Sequence, residues 1–425
     1  MAFRKKKEQN SQKQVTVIEI PLAANPDIFQ RLTKARLESA RVWNACVQIA
    51  CHLYIEDKYW VSESELRRLL AGQFTLHSQC VQNVIEKYCE NRNTTSKHRR
   101  KGLTFWKYPW KTKKYYPAVW SSQGVVLNGK TITLKMGRGR KPIILNLPVT
   151  LTAVNRVELI YKDGKYSLNC AVTKTVEKPE APGSKIAAID MGEIHAMAVT
   201  DGADALIVTG RALRSVKQYR AKRLASIQKA MQGCKKNSRK WKKLLKTKRK
   251  LIAKTRRQIL DLNHKITRKT ADWCKDRQIG KVAVGLLDGV QRNTSSKKAN
   301  PKKKIRSKKV NQKLSLWEFG KQTQLLEYKL KQNGIRLVKK SEAYTSQTCP
   351  ECGHRHKPKG RVFKCRCGYK EHRDIVGALN FWRLNKYGEM KPQPTERIKP
   401  KYLRPSDFQK KVVVVAEPQP LCDGA

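Results

Sequence analysis

The sequence is poor in acidic residues. It contains 33 Asp and Glu against 92 Lys and Arg in 425 residues, which gives a formal net charge of +59 at pH 7. A chain with such an excess of one charge repels itself unless it binds a polyanion, so we expect a large nucleic-acid-binding surface. Histone-like packing alone is disfavoured, because an apolar content of 39% and nine Trp are enough for globular cores. The length indicates two or three domains.

Long apolar runs are also missing. No run approaches membrane-spanning length, and the basic start, Met1–Lys7, is not followed by the apolar segment of a secretion signal. We therefore expect an intracellular protein with no membrane partner. Outside one C-terminal cluster the cysteines have no regular spacing, which favours a reducing compartment over a disulfide framework. These cysteines are Cys46, Cys51, Cys80, Cys89, Cys170, Cys234, Cys274 and Cys422.

The four remaining cysteines are clustered within residues 344–380. Cys349 and Cys352 form one tight knuckle, and Cys365 and Cys367 form a second, with a Gly- and Lys-rich stretch between them that can fold back as a hairpin. Four thiolates on two tight turns satisfy the tetrahedral preference of zinc and leave no position for water, so we predict a structural zinc site. The second knuckle has one residue between its cysteines where two are usual, but both sulfurs can still reach one metal. Two local disulfides, or iron in the same sulfur cage, are the alternatives.

Two carboxylates lie at the ends of predicted secondary-structure elements. Asp374 follows the second knuckle and begins an apolar stretch with helical spacing, where an Asp is most often only a helix cap or a partner of the helix dipole. Asp190 ends an apolar strand predicted at 185–190 and precedes a turn at Gly192. Ribonuclease-H-like folds present their first metal ligand in this way, although sugar-kinase folds share the motif.

The rest of the chain alternates between sheet and helix patterns. Strand patterns near 10–25 and from about 100 to 175 surround a helical stretch that begins at residue 27, which indicates one β-rich domain interrupted by helices. Residues 211–278 predict long helices with one apolar stripe and Lys or Arg on most other positions, a pattern that favours contact with phosphates. The end, 391–425, is Pro-rich and charged, and we predict that it is disordered.

Residues 105–116 alternate aromatic rings with cations. Rings that stack on bases beside cations that bind phosphates are typical of a surface for single-stranded nucleic acid or guide RNA. A half-buried aromatic edge strand is an equally good interpretation of the same pattern.

Taken together, several segments resemble TnpB, the family of transposon-encoded RNA-guided nucleases related to the type V CRISPR effectors. They are IDMGEIH at 189–195, VAVGLLDGV at 282–290, the stretch 311–335, YTSQTCPECG at 344–353 and CGYKEHRD at 367–374. The resemblance implies an α+β multidomain fold, in which a β-rich wedge domain with a helical insert precedes an RNase H-like (RuvC) nuclease domain with an inserted zinc ribbon.

The resemblance also implies domain boundaries. We expect a wedge domain at 1–26 and 96–180, a helical recognition insert at 27–95, a RuvC-like domain at 181–343 and 371–390, a zinc ribbon that contacts target nucleic acid at 344–370, and a disordered tail at 391–425.

The activity that the resemblance implies is RNA-guided cleavage of guide-matched DNA beside a short motif. The family's reaction is phosphodiester hydrolysis with two magnesium ions, which need three carboxylates. Asp190 matches the first nuclease motif and Asp374 the third. The second motif departs from the pattern, because Gly285 stands where the family usually has Glu.

Three residues are candidates for the missing carboxylate. Glu318, in the helix that follows the strand ending at Gly285, is the first candidate; Glu193 and Asp288 are the second and third. Without a role in metal binding, Glu318 would be a solvated helix residue and Asp288 a turn residue. If none of them replaces the carboxylate, the alternative function is a nuclease-deficient RNA-guided DNA-binding protein, acting as a repressor or targeting factor. A transposase acting alone is less well supported, because we find no strand-transfer tyrosine motif and no distinct acidic triad.

The implied partners are a guide RNA made from the transposon end and double-stranded target DNA, in a prokaryotic cytoplasm and associated with the nucleoid. The oligomeric state is not indicated. His195 and His264 are interpreted as packed or surface histidines, since two-metal cleavage needs no histidine base.

Overall fold

The computed structural model describes residues 11–177, 179–287, 308–358 and 360–408. The chain divides into two compact units, residues 1–178 and 179–425. Each unit mixes helices with β-sheets around cores of its own, which confirms the predicted α+β multidomain fold class.

Unit 1 holds the helices and strands of the N-terminal part of the chain. Its helices are α1 (Pro26–Asp57), α2 (Glu63–Leu69) and α3 (Ser78–Arg100). Its strands are β1 (Ser11–Pro21), β2 (Val119–Ser121), β3 (Val125–Asn128), β4 (Thr131–Leu134), β5 (Ile143–Asn146), β6 (Arg156–Lys162) and β7 (Lys165–Glu177).

The main sheet of unit 1 is antiparallel, with the order β1-β7-β6-β2. β1 pairs with β7 along its whole length, from Ser11 opposite Glu177 to Pro21 opposite Ser167. Along the chain, the three helices therefore lie between β1 and β2, which are both strands of this sheet. A two-residue turn with positive φ at Asp163 (56°) and Gly164 (86°) joins β6 to β7 as a hairpin, and Asp-Gly is a typical sequence for such a turn.

Side chains cap the starts of α1 and α2. The Asn25 side chain accepts a hydrogen bond from the Ile28 N–H, and Pro26 occupies the first turn of α1. Ser62 and Glu65 form a capping box at the start of α2, each side chain bonding the backbone N–H of the other. These caps satisfy N–H groups that have no partner within the helix.

The ring-rich segment 105–116 contains no strand, so the edge-strand interpretation is wrong. Tyr108 and Trp110 instead gather around Trp60, with the rings of Trp60 and Trp110 stacked at 5.5 Å. The guanidinium of Arg92 lies over Trp60, and that of Arg99 over Tyr108. Ring–ring and cation–ring contacts, and not the hydrogen bonds of a β-sheet, hold this irregular segment in place.

Unit 2 holds the remaining elements. Its strands are β8 (Lys185–Asp190), β9 (His195–Thr200), β10 (Ala205–Thr209), β11 (Ile279–Gly285), β12 (Arg336–Lys340), β13 (Val362–Lys364), β14 (Lys370–His372) and β15 (Lys401–Leu403). Its helices are α4 (Arg211–Gln232), α5 (Arg239–Asp276), α6 (Lys308–Leu316), α7 (Phe319–Lys331) and α8 (Arg373–Tyr387).

A six-stranded sheet with the order β12-β11-β8-β9-β10-β15 forms the centre of unit 2. β8, β9 and β10 are an antiparallel meander, and β11 and β12 continue the sheet in parallel with β8. This is the strand arrangement of an RNase H-like sheet, with β15 added at one edge. Ala187 and Ile189 face a core that includes α5 and α7, whereas Ala188 faces the core formed with α8. Helices therefore cover both faces, as the continuous apolar strands require.

The C-terminal segment departs from the predicted disorder. Within the predicted tail, β15 pairs in parallel with β10, and the side chains of Ile398 and Phe408 are buried in the two cores. These apolar contacts and the edge of the sheet order residues that composition alone assigns to a tail. The part of the tail beyond residue 408 lies outside the described residues.

Across the described ranges, we find no helix that is both long and apolar enough to cross a membrane.

Phe408 provides a test of the ordered C-terminal segment. Phe408→Ala should lower the free energy of unfolding of unit 2 by about 3 kcal/mol, the lower end for a buried aromatic side chain. Leu260→Ala, at a position of α5 that is 42% exposed, should have little effect. Thermal or urea unfolding measures both variants. Equal stability of Phe408→Ala and wild type would contradict the burial of this segment.

Candidate active site and zinc module

Asp190 lies at the end of β8 and points at helix α8. A Cβ atom added to Gly377, in the second turn of α8, would be 2.7 Å from the Asp190 Oδ2. Glycine inside a helix costs about 0.5–1 kcal/mol relative to alanine. Here it leaves the room that the Asp190 carboxylate occupies.

Asp374 lies in the first turn of α8, close to Gly377 and therefore to Asp190. Its Oδ2 is 2.7 Å from the Nδ1 of His195 and 3.5 Å from an Nη1 of Arg361. Burial raises the pKa of Asp374, but the hydrogen bond from His195 and the positive charges of neighbouring groups outweigh burial and bring the pKa below its usual value. Asp374 is thus held as an anion beside Asp190.

Glu342 is the third carboxylate at this place. β11 and β12 are parallel, with Gly285 opposite Lys340, so Glu342 follows the end of β12 at the same sheet edge as the ends of β11 and β8. A Cβ atom at Gly285 would overlap the Glu342 carboxylate. Glu342 therefore fills the space beside the strand end at which the second-motif Glu is missing.

The charges of two carboxylates act on the third, Asp190. Burial and then the charges of Glu342 and Asp374 raise the pKa of Asp190 well above its usual value. Burial raises the pKa of Glu342 to about 7. Carboxylate oxygens are the donors that magnesium prefers, and a divalent cation relieves the repulsion at Asp190. Asp190, Glu342 and Asp374 therefore fit the binding of a hard divalent cation.

The replacements that the sequence predicts lie elsewhere or outside the described residues. The Glu318 carboxylate lies 3.5 Å from the Lys217 ammonium and 3.4 Å from the Asn263 amide, and its side chain is 48% exposed. Lys217 and Asn263 belong to α4 and α5. Because α5 and α7 cover the sheet face opposite α8, Glu318 faces the helical layer away from Asp374.

Glu193 has a different partner, since its carboxylate is 3.1 Å from the Arg214 Nε. Neither Glu193 nor Glu318 is among the charges that shift the pKa of Asp190. Asp288 lies outside the described residues. The geometry thus favours Glu342, a residue that the sequence analysis missed, as the third carboxylate.

The four predicted cysteines converge. The sulfurs of Cys349 and Cys367 are 3.7 Å apart, those of Cys352 and Cys365 are 3.4 Å apart, and all four lie within 4.8 Å of one another. A hydrogen bond from the backbone N–H of His354 contributes most to lowering the pKa of Cys352 to about 7, whereas burial raises the pKa of Cys349 to about 12. The cluster can hold one zinc ion.

The segment that holds the four clustered cysteines, called the zinc module below, is hydrogen-bonded to the helix that carries Asp374. The Asn380 side-chain amide donates to the backbone carbonyls of Thr345 and Thr348, at 2.8 and 2.7 Å. The buried Arg383 guanidinium donates to the carbonyl of Pro350. Because Asn380 and Arg383 lie on α8, the cysteine knuckle fixes the position of this helix and hence of Asp374.

Two family models match parts of the chain. The model described as "Cas12f1-like, TNB domain" matches residues 319–381, which include the four cysteines and Asp374. The model described as "Probable transposase" matches residues 169–291, which include Asp190 and Gly285.

Curated relatives agree with the two models. The chain is 28% identical over 151 residues to a TnpB-like protein of Methanocaldococcus jannaschii. This alignment covers 35% of this chain and 51% of the relative. It is 39% identical over 74 residues to the CRISPR-associated endodeoxyribonuclease Cas12f1 of an uncultured archaeon, covering 15% of this chain and 14% of the relative. The chain is TnpB-like and related to the type V effectors. It spans about half of the first relative and a small part of the second.

A solved structure shares the fold of this TnpB-like chain. The Cas12f1 chain of a Cas12f1–sgRNA–target DNA complex aligns with a TM-score of 0.60 and 17% identity, covering 84% of this chain and 82% of that one. At this level of identity the likeness shows the fold alone.

Replacing a clustered cysteine tests the zinc module. Cys365→Ser should reduce bound zinc from about one ion per chain to near zero and lower the unfolding temperature, because the metal contributes directly to folding. Cys234→Ser, a cysteine outside the cluster, is the matched control and should keep the zinc. Metal analysis by mass spectrometry and thermal unfolding measure the two effects. Normal zinc content in Cys365→Ser would contradict the four-sulfur site.

Proposed function

We propose that this TnpB-like protein is an RNA-guided endonuclease that cuts guide-matched DNA beside a short motif. The observation that carries the proposal is the meeting of Asp190, Glu342 and Asp374 at one edge of an RNase H-like sheet. Two magnesium ions, when bound, activate the attacking water and stabilise the leaving oxygen. The three carboxylates hold these ions, and the zinc module holds α8 in place.

The charge of the chain supports nucleic-acid partners. The net charge is +59, and the long helix α5 carries Lys and Arg on much of its exposed surface. Such a surface binds phosphates without regard to base sequence, and it fits a division of labour in which guide RNA pairing reads the DNA sequence. Guide RNA from the transposon end and double-stranded target DNA are the partners we propose.

Substitution of the carboxylates tests the proposed nuclease. Asp190→Asn and Glu342→Gln should leave binding of matched DNA intact and lower the single-turnover cleavage rate about 100-fold or more, because each variant loses several kcal/mol of transition-state stabilisation. Glu318→Gln is the matched control and should cut at close to the wild-type rate. The protein is assayed as the complex with its co-purified RNA, with magnesium.

Two results would contradict this assignment. Normal cleavage by Glu342→Gln together with no cleavage by Glu318→Gln would assign the role of third carboxylate to Glu318. Tight binding of matched DNA by wild type without any cleavage would make the protein a guided DNA-binding protein that acts by occupancy.

Gly285 allows a second test. Gly285→Ala places a methyl group on the Glu342 carboxylate, so it should abolish most cleavage while the protein remains folded. Gly320→Ala, where an added Cβ has no neighbour within 4 Å, should cut normally.

The double variant Gly285→Glu/Glu342→Ala moves the carboxylate to the position usual in the family. It should recover part of the activity that Glu342→Ala alone loses, as measured by the same cleavage assay. Full activity of Gly285→Ala, with an unchanged unfolding temperature, would show that the two positions do not share one space.

A further inference from the structure

His195 is a buried residue of β9 whose two ring nitrogens both have partners. Its side chain is 4% exposed. Nδ1 is 2.7 Å from the Asp374 Oδ2, and Nε2 contacts the hydroxyl of Tyr402. The rings of His195 and Tyr402 meet edge to face, with centroids 5.3 Å apart. Hydrogen bonds thus link Tyr402 to His195 and His195 to Asp374.

The C-terminal strand brings Tyr402 to this place. Tyr402 lies in β15, where it is opposite Ile207 of β10, and β10 in turn pairs with β9 near His195. A segment that composition assigns to a tail therefore contributes a side chain beside a candidate metal-binding residue.

The chemistry of the three groups fixes the direction of both hydrogen bonds. An ionised carboxylate only accepts hydrogen bonds, so the Nδ1–H of His195 donates to Asp374. In the neutral imidazole the other nitrogen is then an acceptor, and the Tyr402 hydroxyl donates to Nε2. Tyr402 thereby holds His195 in the tautomer that can donate to Asp374.

We propose that Tyr402 and His195 are positioning residues for Asp374, with Tyr402 acting only through His195. The proposal rests on the proposed nuclease function and extends it to the C-terminal strand. Groups that hydrogen-bond a metal-binding carboxylate orient it, and their loss commonly costs about 10–100-fold in metal affinity or activity. Arg361 and Arg373 also lie within 4 Å of Asp374, so the loss of one donor weakens the orientation without abolishing it.

A direct role of His195 as a metal ligand is the competing assignment. Nitrogen or oxygen atoms of His195, His372 and Asp374 lie within 4.8 Å of one another. However, His372 Nδ1 accepts the backbone N–H of Asp374, and binding a metal through His195 would break one of its two hydrogen bonds. The hydrogen-bonded arrangement favours positioning.

A double-mutant cycle tests the proposal in the RNA-loaded full chain. Tyr402→Phe and His195→Ala should each slow single-turnover cleavage about 10-fold or more and raise the magnesium concentration needed for half-maximal rate. The double variant should be no slower than His195→Ala, because within the described residues the Tyr402 hydroxyl hydrogen-bonds His195 and makes no hydrogen bond to Asp374. Tyr328→Phe, which removes the hydroxyl of a tyrosine on the exposed side of α7, is the control and should leave the rate unchanged.

A spectroscopic measurement tests the same proposal without cleavage. With ¹⁵N-labelled histidine in the full chain at pH about 8, where histidine is ordinarily neutral, the His195 resonances are assigned by their absence in His195→Gln. They should show the Nδ1–H tautomer, and Tyr402→Phe should shift the Nε2 resonance.

The positioning role and the nuclease activity can fail independently of each other. Multiplicative losses in the double variant, or an Nε2-protonated His195, would overturn the positioning role. Wild-type protein that never cuts would overturn the proposed nuclease, while the His195 tautomer and its response to Tyr402→Phe would still decide the hydrogen-bonded arrangement.

Discussion

The repulsion that Asp190 experiences from two other carboxylates at one sheet edge is the constraint on which the candidate site depends. Burial and the charges of Glu342 and Asp374 raise the pKa of Asp190 well above its usual value. The sheet register, the missing side chains at Gly285 and Gly377, and the contacts of α8 nevertheless hold these groups together. A divalent cation relieves the repulsion, so the cost of assembling the cluster becomes affinity for metal.

Two distant parts of the chain support this edge of the sheet. The cysteine knuckle bonds α8 through Asn380 and Arg383, and so positions Asp374 from one side. The C-terminal strand adds Tyr402 behind His195 on another side. A zinc module and an edge strand, each remote from the nuclease motifs along the chain, therefore act on the same carboxylate.

Much of this architecture follows from local patterns. The strand ending in Asp190, the cysteine spacing and the helix beginning near Asp374 are short-range signals, and the structure contains the strand, the sulfur cluster and the helix at these places. Glu342 was missed for a different reason. It follows the strand Arg336–Lys340, and only the parallel pairing of this strand with β11 shows that the residue two positions beyond it lies beside Gly285.

The position of Glu318 also depends on long-range packing. The helical pattern predicts a residue near the start of a helix after β11, but it does not tell which sheet face that helix covers. In the structure, Glu318 contacts Lys217 and Asn263. Composition likewise misjudged residues 391–408, because β pairing and the burial of Ile398 and Phe408 are long-range effects.

Diffraction data collected near the manganese absorption edge, from crystals of the RNA-loaded protein with target DNA and Mn²⁺, test the central claim most directly. We expect anomalous peaks ligated by Asp190, Glu342 and Asp374. Peaks ligated by Asp190 and Asp374 but not by Glu342, or the absence of any peak at this sheet edge, would contradict a relocated third carboxylate.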